Sequence, residues 1–204
     1  MHLVGMAGPS GSGKTSLCNF LAKQIGHDIC DVISVDNYYS DLSHIDILER
    51  KKVNFDDPKS IDSKLLINQI IELKNGSSIL TPIYNFNQHI RTPECKLVSS
   101  NKKIVFIEGI FALLWLQIRN YYSCTFYIEL DLKECLERRV IRDKTSRGRS
   151  LSQTRENFAK TVIPNYKKFV RPTKNYSDCI LSGNQTVEIT SDEVLTKLQS
   201  FNIL

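Results

Sequence analysis

The chain lacks a hydrophobic stretch long enough to cross a bilayer. Its longest apolar run, residues 109–116, falls far short of the roughly 20 residues a spanning helix needs. The start of the sequence carries no basic cluster ahead of its apolar stretch, so it does not read as a signal peptide. Six cysteines, at 18, 30, 95, 124, 135 and 179, form no C-x-x-C pair, and no histidine stands at zinc spacing from them. That excludes the common zinc modules. Cys18, Cys124, Cys135 and Cys179 fall in apolar-periodic stretches, where a thiol behaves as a small hydrophobe. Reduced core cysteines and a cytoplasmic location are the expectation. Repeats and low-complexity segments are also missing. With 41% hydrophobic residues and a net charge of only +5 over 204 residues, disorder is excluded as well.

Two nucleotide-site signatures are absent. Gly11-x-Gly13 is followed by Ser16 where a dinucleotide fingerprint needs its third glycine. Asn101-Lys102-Lys103 ends on Ile104 where a guanine-reading N-K-x-D needs aspartate, and it precedes a predicted strand instead of following one.

The pattern that is present alternates buried strands with amphipathic helices. Strands are predicted at 1–7, 29–35, 102–108, 124–130 and 178–181. Helices are predicted at 14–25, 41–52, 60–74, 132–143, 151–169 (interrupted near Pro164) and 191–201, the last capped by Ser191. Residues 78–99 mix Thr, Pro, Tyr, Phe and Val with polar breaks and read as a short β-ribbon. The order argues for an α/β fold, a mostly parallel sheet flanked by helices, whose ligands sit at the carboxyl ends of the strands. One domain, 1–204, is expected, with the ribbon inserted at 78–99 and an Arg-rich lid at 143–150.

Gly8-Pro9-Ser10-Gly11-Ser12-Gly13-Lys14-Thr15 matches G-x-x-x-x-G-K-[ST] between a predicted strand and a predicted helix. Glycines let backbone N–H groups curl around phosphate oxygens, and the helix N-terminus adds positive charge. Lys14 would reach the β- and γ-phosphates and the Thr15 hydroxyl would ligate Mg²⁺. Asp36 follows the second strand and Glu108 closes the third, so both carboxylates are expected beside the transferring phosphate. One would orient a hydroxyl acceptor and the other would serve the metal. Five of the ten arginines lie within residues 138–149. Such a cluster suits either nucleic acid or a polyphosphate. Arg139 and Arg142 share a helical face, whereas Arg138 reads as a solvated charge.

Taken together, Asp36-Asn37-Tyr38-Tyr39, Asn54-Phe55-Asp56-Asp57-Pro58, Tyr84-x-Phe86-x-x-His89-x-Arg91, Glu108-Gly109-Ile110, Arg138-Arg139-x-x-Arg142-Asp143 and Arg147-Gly148-Arg149 resemble the nucleoside kinases of the phosphoribulokinase/uridine kinase family. The resemblance runs from the phosphate loop to about Asp178. It implies a P-loop kinase that uses Mg²⁺ to move the γ-phosphate of ATP (or GTP) to the 5′-OH of uridine, and of cytidine too. Gly8 through Ser16, including Pro9, Ser12 and Gly13, would hold the donor phosphates with Arg147. Asp36, Lys14 and Arg142 would be catalytic, and Thr15, Asp36 and Glu108 would hold the metal. Asp56, with Arg139 nearby, would bind the ribose hydroxyls. Tyr84, His89, Phe55 and Phe86 would line the base pocket, and Arg149 and Asn157 belong to the same substrate side. Asn157 stands where the family carries Gln, and Ser182-Gly183-Asn184 stands where it carries Pro-Arg-Gly. The expected partners are a small nucleoside and further copies of the chain, a tetramer by resemblance, with no nucleic acid and no membrane. Sister kinases for pantothenate, nicotinamide riboside or a sugar phosphate are the nearest alternatives. A P-loop protein binding nucleic acid through the basic segment is the alternative from another class.

Overall fold

The protein is described here from a computed structural model covering residues 1–146 and 150–204. Its strands are β1 (His2–Ala7), β2 (Cys30–Ser34), β3 (Ile79–Asn85), β4 (Ile90–Val98), β5 (Ile104–Glu108), β6 (Tyr122–Glu129) and β7 (Cys179–Ser182). The helices are α1 (Lys14–Ile25), α2 (Ile47–Arg50), α3 (Ser63–Lys74), α4 (Leu116–Arg119), α5 (Leu132–Ser146), α6 (Leu151–Asn157), α7 (Ile163–Asn165) and α8 (Val187–Ser200). Strands β2-β5-β1-β6-β7 form one parallel sheet in that order, and β3 and β4 pair antiparallel as a separate ribbon.

The central strands are apolar on both faces because helices cover both. All five residues of β5 are buried, as are Leu3 to Ala7 of β1. On one face Leu17, Leu21 and Ala22 of α1 pack with Val194 and Leu198 of α8 against Val4, Met6, Phe106 and Phe126. On the other, Leu66, Ile70 and Leu73 of α3 pack with Phe111, Val105, Ile107 and the ribbon residues Ile79 and Val98. The ribbon is therefore rooted in the main core while its hairpin end projects over the sheet's carboxyl edge. The order reverses at β1, whose neighbours are β5 and β6, and the loops leaving β1, β2 and β5 converge there.

The expected helix over 41–52 is mostly loop, with only the single turn α2. Side chains there bond to local backbone instead of leaving it to a helical ladder. Asp41 accepts from Ser43 N, and Asp46 caps Leu48 N. The Arg50 guanidinium donates to the carbonyls of Ile45, Ser43 and Gln88. Helix α3 starts at Ser63, not at residue 60, because Asp62 caps it through Leu65 N and Ile61 pairs with Tyr39 as an isolated bridge. The C-terminal helix starts earlier than expected. Thr186 is its cap, whereas Ser191 is buried mid-helix and donates to Gln24 Oε1. The interruption expected near Pro164 takes the form of two π-turns, Phe158–Val162 and Tyr166–Val170, on either side of α7. Wide turns absorb the missing proline N–H without ending the helical run. All six cysteines are free thiols; Cys18, Cys30, Cys124 and Cys135 are buried, Cys179 is half-buried and Cys95 exposed. No helix among the described residues is long and apolar enough to cross a membrane.

Candidate active site

Two cavities open side by side at the carboxyl edge of the sheet. One, of about 470 Å³, is lined by Ser10 through Leu17, Glu108, Arg138, Arg142, Gly183 and Gln185 among others. Its neighbour, of about 670 Å³, is lined by Phe55, Asp56, Tyr84, Phe86, His89, Arg139 and Asn157 among others. Ser10, Asp36 and Ile110 line both. The shared wall is thus where a group in one cavity meets a group in the other.

The phosphate loop closes tightly because two of its glycines have no room for a side chain. A Cβ on Gly8 would lie 2.4 Å from the Ile128 carbonyl oxygen, and one on Gly11 would lie 2.7 Å from that of Cys135. The Lys14 side chain spans the loop, donating to the Pro9 carbonyl at 2.8 Å. Burial pulls the Lys14 pKa below its usual value, while the carboxylates of Glu108 and Asp36 oppose that pull. Glu108 ends β5 opposite Met6 of β1 and Ser34 of β2, and is 2% exposed. It accepts from Thr15 Oγ1 at 3.1 Å. Burial pushes its carboxyl above the usual range, and the nearby charge of Asp36 adds to the effect. Asp36 itself sits on the short 3₁₀ turn Val35–Tyr38 that follows β2.

Thr15, Asp36 and Glu108 supply only oxygen donors around one corner of this cavity, the donor chemistry that suits Mg²⁺. Among the described residues no three His, Cys, Asp or Glu side chains gather into a metal cage.

Sequence-local turns set the walls of the larger cavity. Asn54 Oδ1 accepts from Asp56 N, an Asx turn that presents the buried Asp56 carboxylate. Thr161, on a π-turn, donates to Asp56 Oδ2 at 3.4 Å. At the ribbon tip Asn85 Oδ1 accepts from both Asn87 N and Gln88 N, and His89 follows with φ +54°. His89 lies stacked on Phe55; Tyr39 meets Phe55 edge-on at 5.1 Å; and Tyr84 contacts Phe86 at 5.4 Å. The Tyr84 hydroxyl is buried with no hydrogen-bond partner among the described residues, so a polar ligand atom in this cavity would satisfy it.

Helix α5 divides its arginines between the cavities. Arg139 is buried on the larger one, bonded to Ser10 Oγ and to Asn157 Oδ1. Arg142 lines the phosphate-loop cavity and pairs with the fully buried Asp143. Arg138 is solvent-exposed, as expected, yet it also lines that cavity and donates to the Gly183 carbonyl at 2.9 Å. The expected lid begins as the helical end of α5, which reaches Ser146; Arg147, Gly148 and Arg149 lie outside the described residues. Sequence reasoning missed Gln185, Val187 and Thr190, which also line that cavity and which no motif marks. It named Arg91 in the ribbon motif without giving it a role; its guanidinium ties the ribbon to Tyr38 O, Tyr39 O and Asp62.

Comparison with known proteins agrees with this geometry. The model of the phosphoribulokinase / uridine kinase family matches residues 3–190. A uridine kinase of Klebsiella pneumoniae subsp. pneumoniae is 36% identical over 203 residues, covering 98% of this chain and 95% of that protein. One from Staphylococcus carnosus is 36% identical over 199 residues, covering 97% and 95%. Among solved structures, phosphoribulokinase from Rhodobacter spheroides superposes with a TM-score of 0.67 at 12% identity, over 89% of this chain and 69% of that one.

Proposed function

Because this chain belongs to the phosphoribulokinase/uridine kinase family, we propose that this ATP-dependent kinase phosphorylates the 5′-hydroxyl of uridine, and of cytidine as well. ATP is the donor, with GTP as a second one. The observation that carries the reading is the wall shared by the two cavities. A phosphate-loop cavity and a cavity with a carboxylate, aromatic faces and one histidine meet at Asp36.

On this reading the donor phosphates lie along Gly8 to Ser16, with Lys14 on the β- and γ-phosphates and Arg142 facing the charge that develops during transfer. Thr15, Asp36 and Glu108 would hold Mg²⁺, which when bound neutralises phosphate charge. Asp56 accepts from the ribose 2′- and 3′-hydroxyls, for which a carboxylate has two acceptor oxygens. The pyrimidine lies among Phe55, Tyr84 and Phe86, and the edge of His89 reads its polar groups. Asp36, in the shared wall, orients the 5′-hydroxyl. That oxygen forms the new bond to the γ-phosphorus, the bond from γ-phosphorus to the β–γ bridging oxygen breaks, and the hydroxyl proton passes to the Asp36 carboxylate. The products are the nucleoside monophosphate and the nucleoside diphosphate. In this scheme Arg142 acts on the phosphates and Arg139 lies beside Asp56 on the ribose side, and nucleic acid has no part in it.

The test is ATP consumption with Mg²⁺ against uridine, cytidine, adenosine, pantothenate, nicotinamide riboside and ribulose 5-phosphate. Turnover confined to the pyrimidine nucleosides is expected. Turnover with another acceptor instead would reassign Asp56, Tyr84 and His89 while leaving the phosphate loop in its role.

A further inference from the structure

One nitrogen stands between the two halves of the site. Arg139 Nη1 donates to Ser10 Oγ at 2.9 Å and lies 3.6 Å from Asp56 Oδ1. Ser10 belongs to the phosphate loop and lines both cavities; Asp56 lines only the larger one. The rest of the guanidinium makes one hydrogen bond and one ion-pair contact. Nη2 donates to Asn157 Oδ1 at 3.1 Å, and Nε lies 3.5 Å from the fully buried Asp143 carboxylate, which also takes Arg142. Arg139 is 4% exposed, so water does not screen these contacts as it would at the surface.

Nη2 is hydrogen-bonded, whereas Nε is ion-paired without a hydrogen bond among the described residues, so the guanidinium keeps its place while Nη1 can shift between Ser10 and Asp56. A hydroxyl that accepts from arginine keeps its own proton for a further acceptor. Ser10, whose oxygen accepts from Nη1 and which lines the phosphate-loop cavity, is therefore set to donate to an anion there.

We propose that Ser10 is a positioning residue through which Arg139 couples the two cavities, so that acceptor and donor each tighten the other's binding. The inference rests on the assignment of Asp56 to the ribose. Hydroxyls bonded to Asp56 draw its charge away from Nη1, which then bonds Ser10 more strongly and fixes the hydroxyl toward the donor phosphates. Such chains of hydrogen bonds reinforce one another.

Calorimetry with Mg²⁺ and a non-hydrolysable ATP analogue, with and without saturating uridine, measures the coupling, and linkage requires the same factor in the reverse titration. In the wild-type chain a mutual tightening of about fivefold or more is expected. Ser10→Thr, which retains the hydroxyl, is expected to keep it. Ser10→Ala is expected to bring the factor close to one; a general loosening of the phosphate loop cancels from this ratio. 2′,3′-Dideoxyuridine, which has no hydroxyls for Asp56, is expected to bind without tightening the analogue. An unchanged factor in Ser10→Ala, or none in the wild type with uridine bound, overturns the coupling alone. No binding of uridine to the wild type overturns the assignment of Asp56, and the coupling falls with it.

Discussion

His89 lies nearly flat on Phe55, ring centroids 4.7 Å apart and planes 15° apart. The two residues come from segments far apart in sequence: Phe55 from the turn before α3, His89 from the tip of the ribbon. Their stacking joins the hairpin to the sheet side of the cavity, and Tyr39 and Tyr84 extend the same aromatic wall. A polar ring held in this way has one face covered by Phe55.

His89 holds φ +54°, a conformation that Asn also tolerates, so His89→Asn removes the ring without adding backbone strain. Loss of the base contacts assigned to His89 is expected to raise the uridine KM roughly tenfold, the equivalent of about 1.4 kcal/mol. The KM for ATP is expected to stay put. Steady-state kinetics with each substrate varied in turn checks this. Equal rises in both KM values would mean that the ribbon supports the whole site and does not read the base.

Asp36→Asn is expected to lower kcat by about 10²–10⁴-fold, the usual weight of a positioned acid–base group, with little change in the affinity for ATP. Lys14 retains its link to the Pro9 carbonyl and the phosphate loop keeps its shape in this variant. Rates in rapid-mixing experiments and binding of an ATP analogue separate the two effects. Retention of most activity would remove Asp36 from the proton-accepting role.

Asp56→Ala leaves Arg139 paired with Asp143, so the loss falls on the ligand and not on a stranded buried charge. Hydrogen bonds to a charged group are worth about 1.5–3 kcal/mol, and the uridine KM should rise by roughly ten- to a hundredfold on that basis. The rise for 2′-deoxyuridine, which has one hydroxyl fewer to lose, is expected to be smaller. A parallel panel of the two nucleosides decides it. Equal effects would mean that Asp56 does not contact the 2′-hydroxyl.

Much of this site was legible in the sequence because its parts are local. The phosphate loop needs glycine where Gly8 and Gly11 press on the carbonyls of Ile128 and Cys135, and a strand and a helix on either side, all visible as pattern. Helix α1 has the bounds expected from its apolar spacing and Gly26. The parallel sheet and the ribbon likewise follow from the difference between continuous apolar runs and polar-interrupted ones. The misses share a different cause. Residues 41–52 carry helix-compatible residues, but Arg50 and Asp41 bond to a loop and to the ribbon, and periodicity cannot register such tertiary contacts. Ser191 resembles a cap until Gln24 of α1 is found facing it. Whether Arg138, Arg139 and Arg142 face one cavity or two depends on where α5 crosses the sheet, information that spacing along one helix does not contain.

Glu108 offers a test in which stability and activity move in opposite directions. Its carboxyl is held above its ordinary pKa first by burial and then by the charge of Asp36. The folded protein therefore binds this proton more tightly than the unfolded chain does. The stability it contributes is complete below the ordinary carboxylate value and is lost as pH rises through the raised, folded-state value. Relative to acid pH, the buried carboxyl of Glu108 is thus a cost to the unliganded fold at neutral pH. Glu108→Gln, which stays neutral, is expected to raise the thermal midpoint at pH 7–8, with the advantage shrinking toward zero as pH falls below the ordinary carboxylate range. Turnover with Mg²⁺ and ATP is expected to collapse in the same variant, because the oxygen facing Thr15 loses its charge. Lys14 opposes this cost, since its buried ammonium and the Glu108 carboxylate attract each other. Thermal melts across pH separate the two: a less stable Glu108→Gln protein at neutral pH would mean that the attraction to Lys14 outweighs the cost of burying the carboxylate.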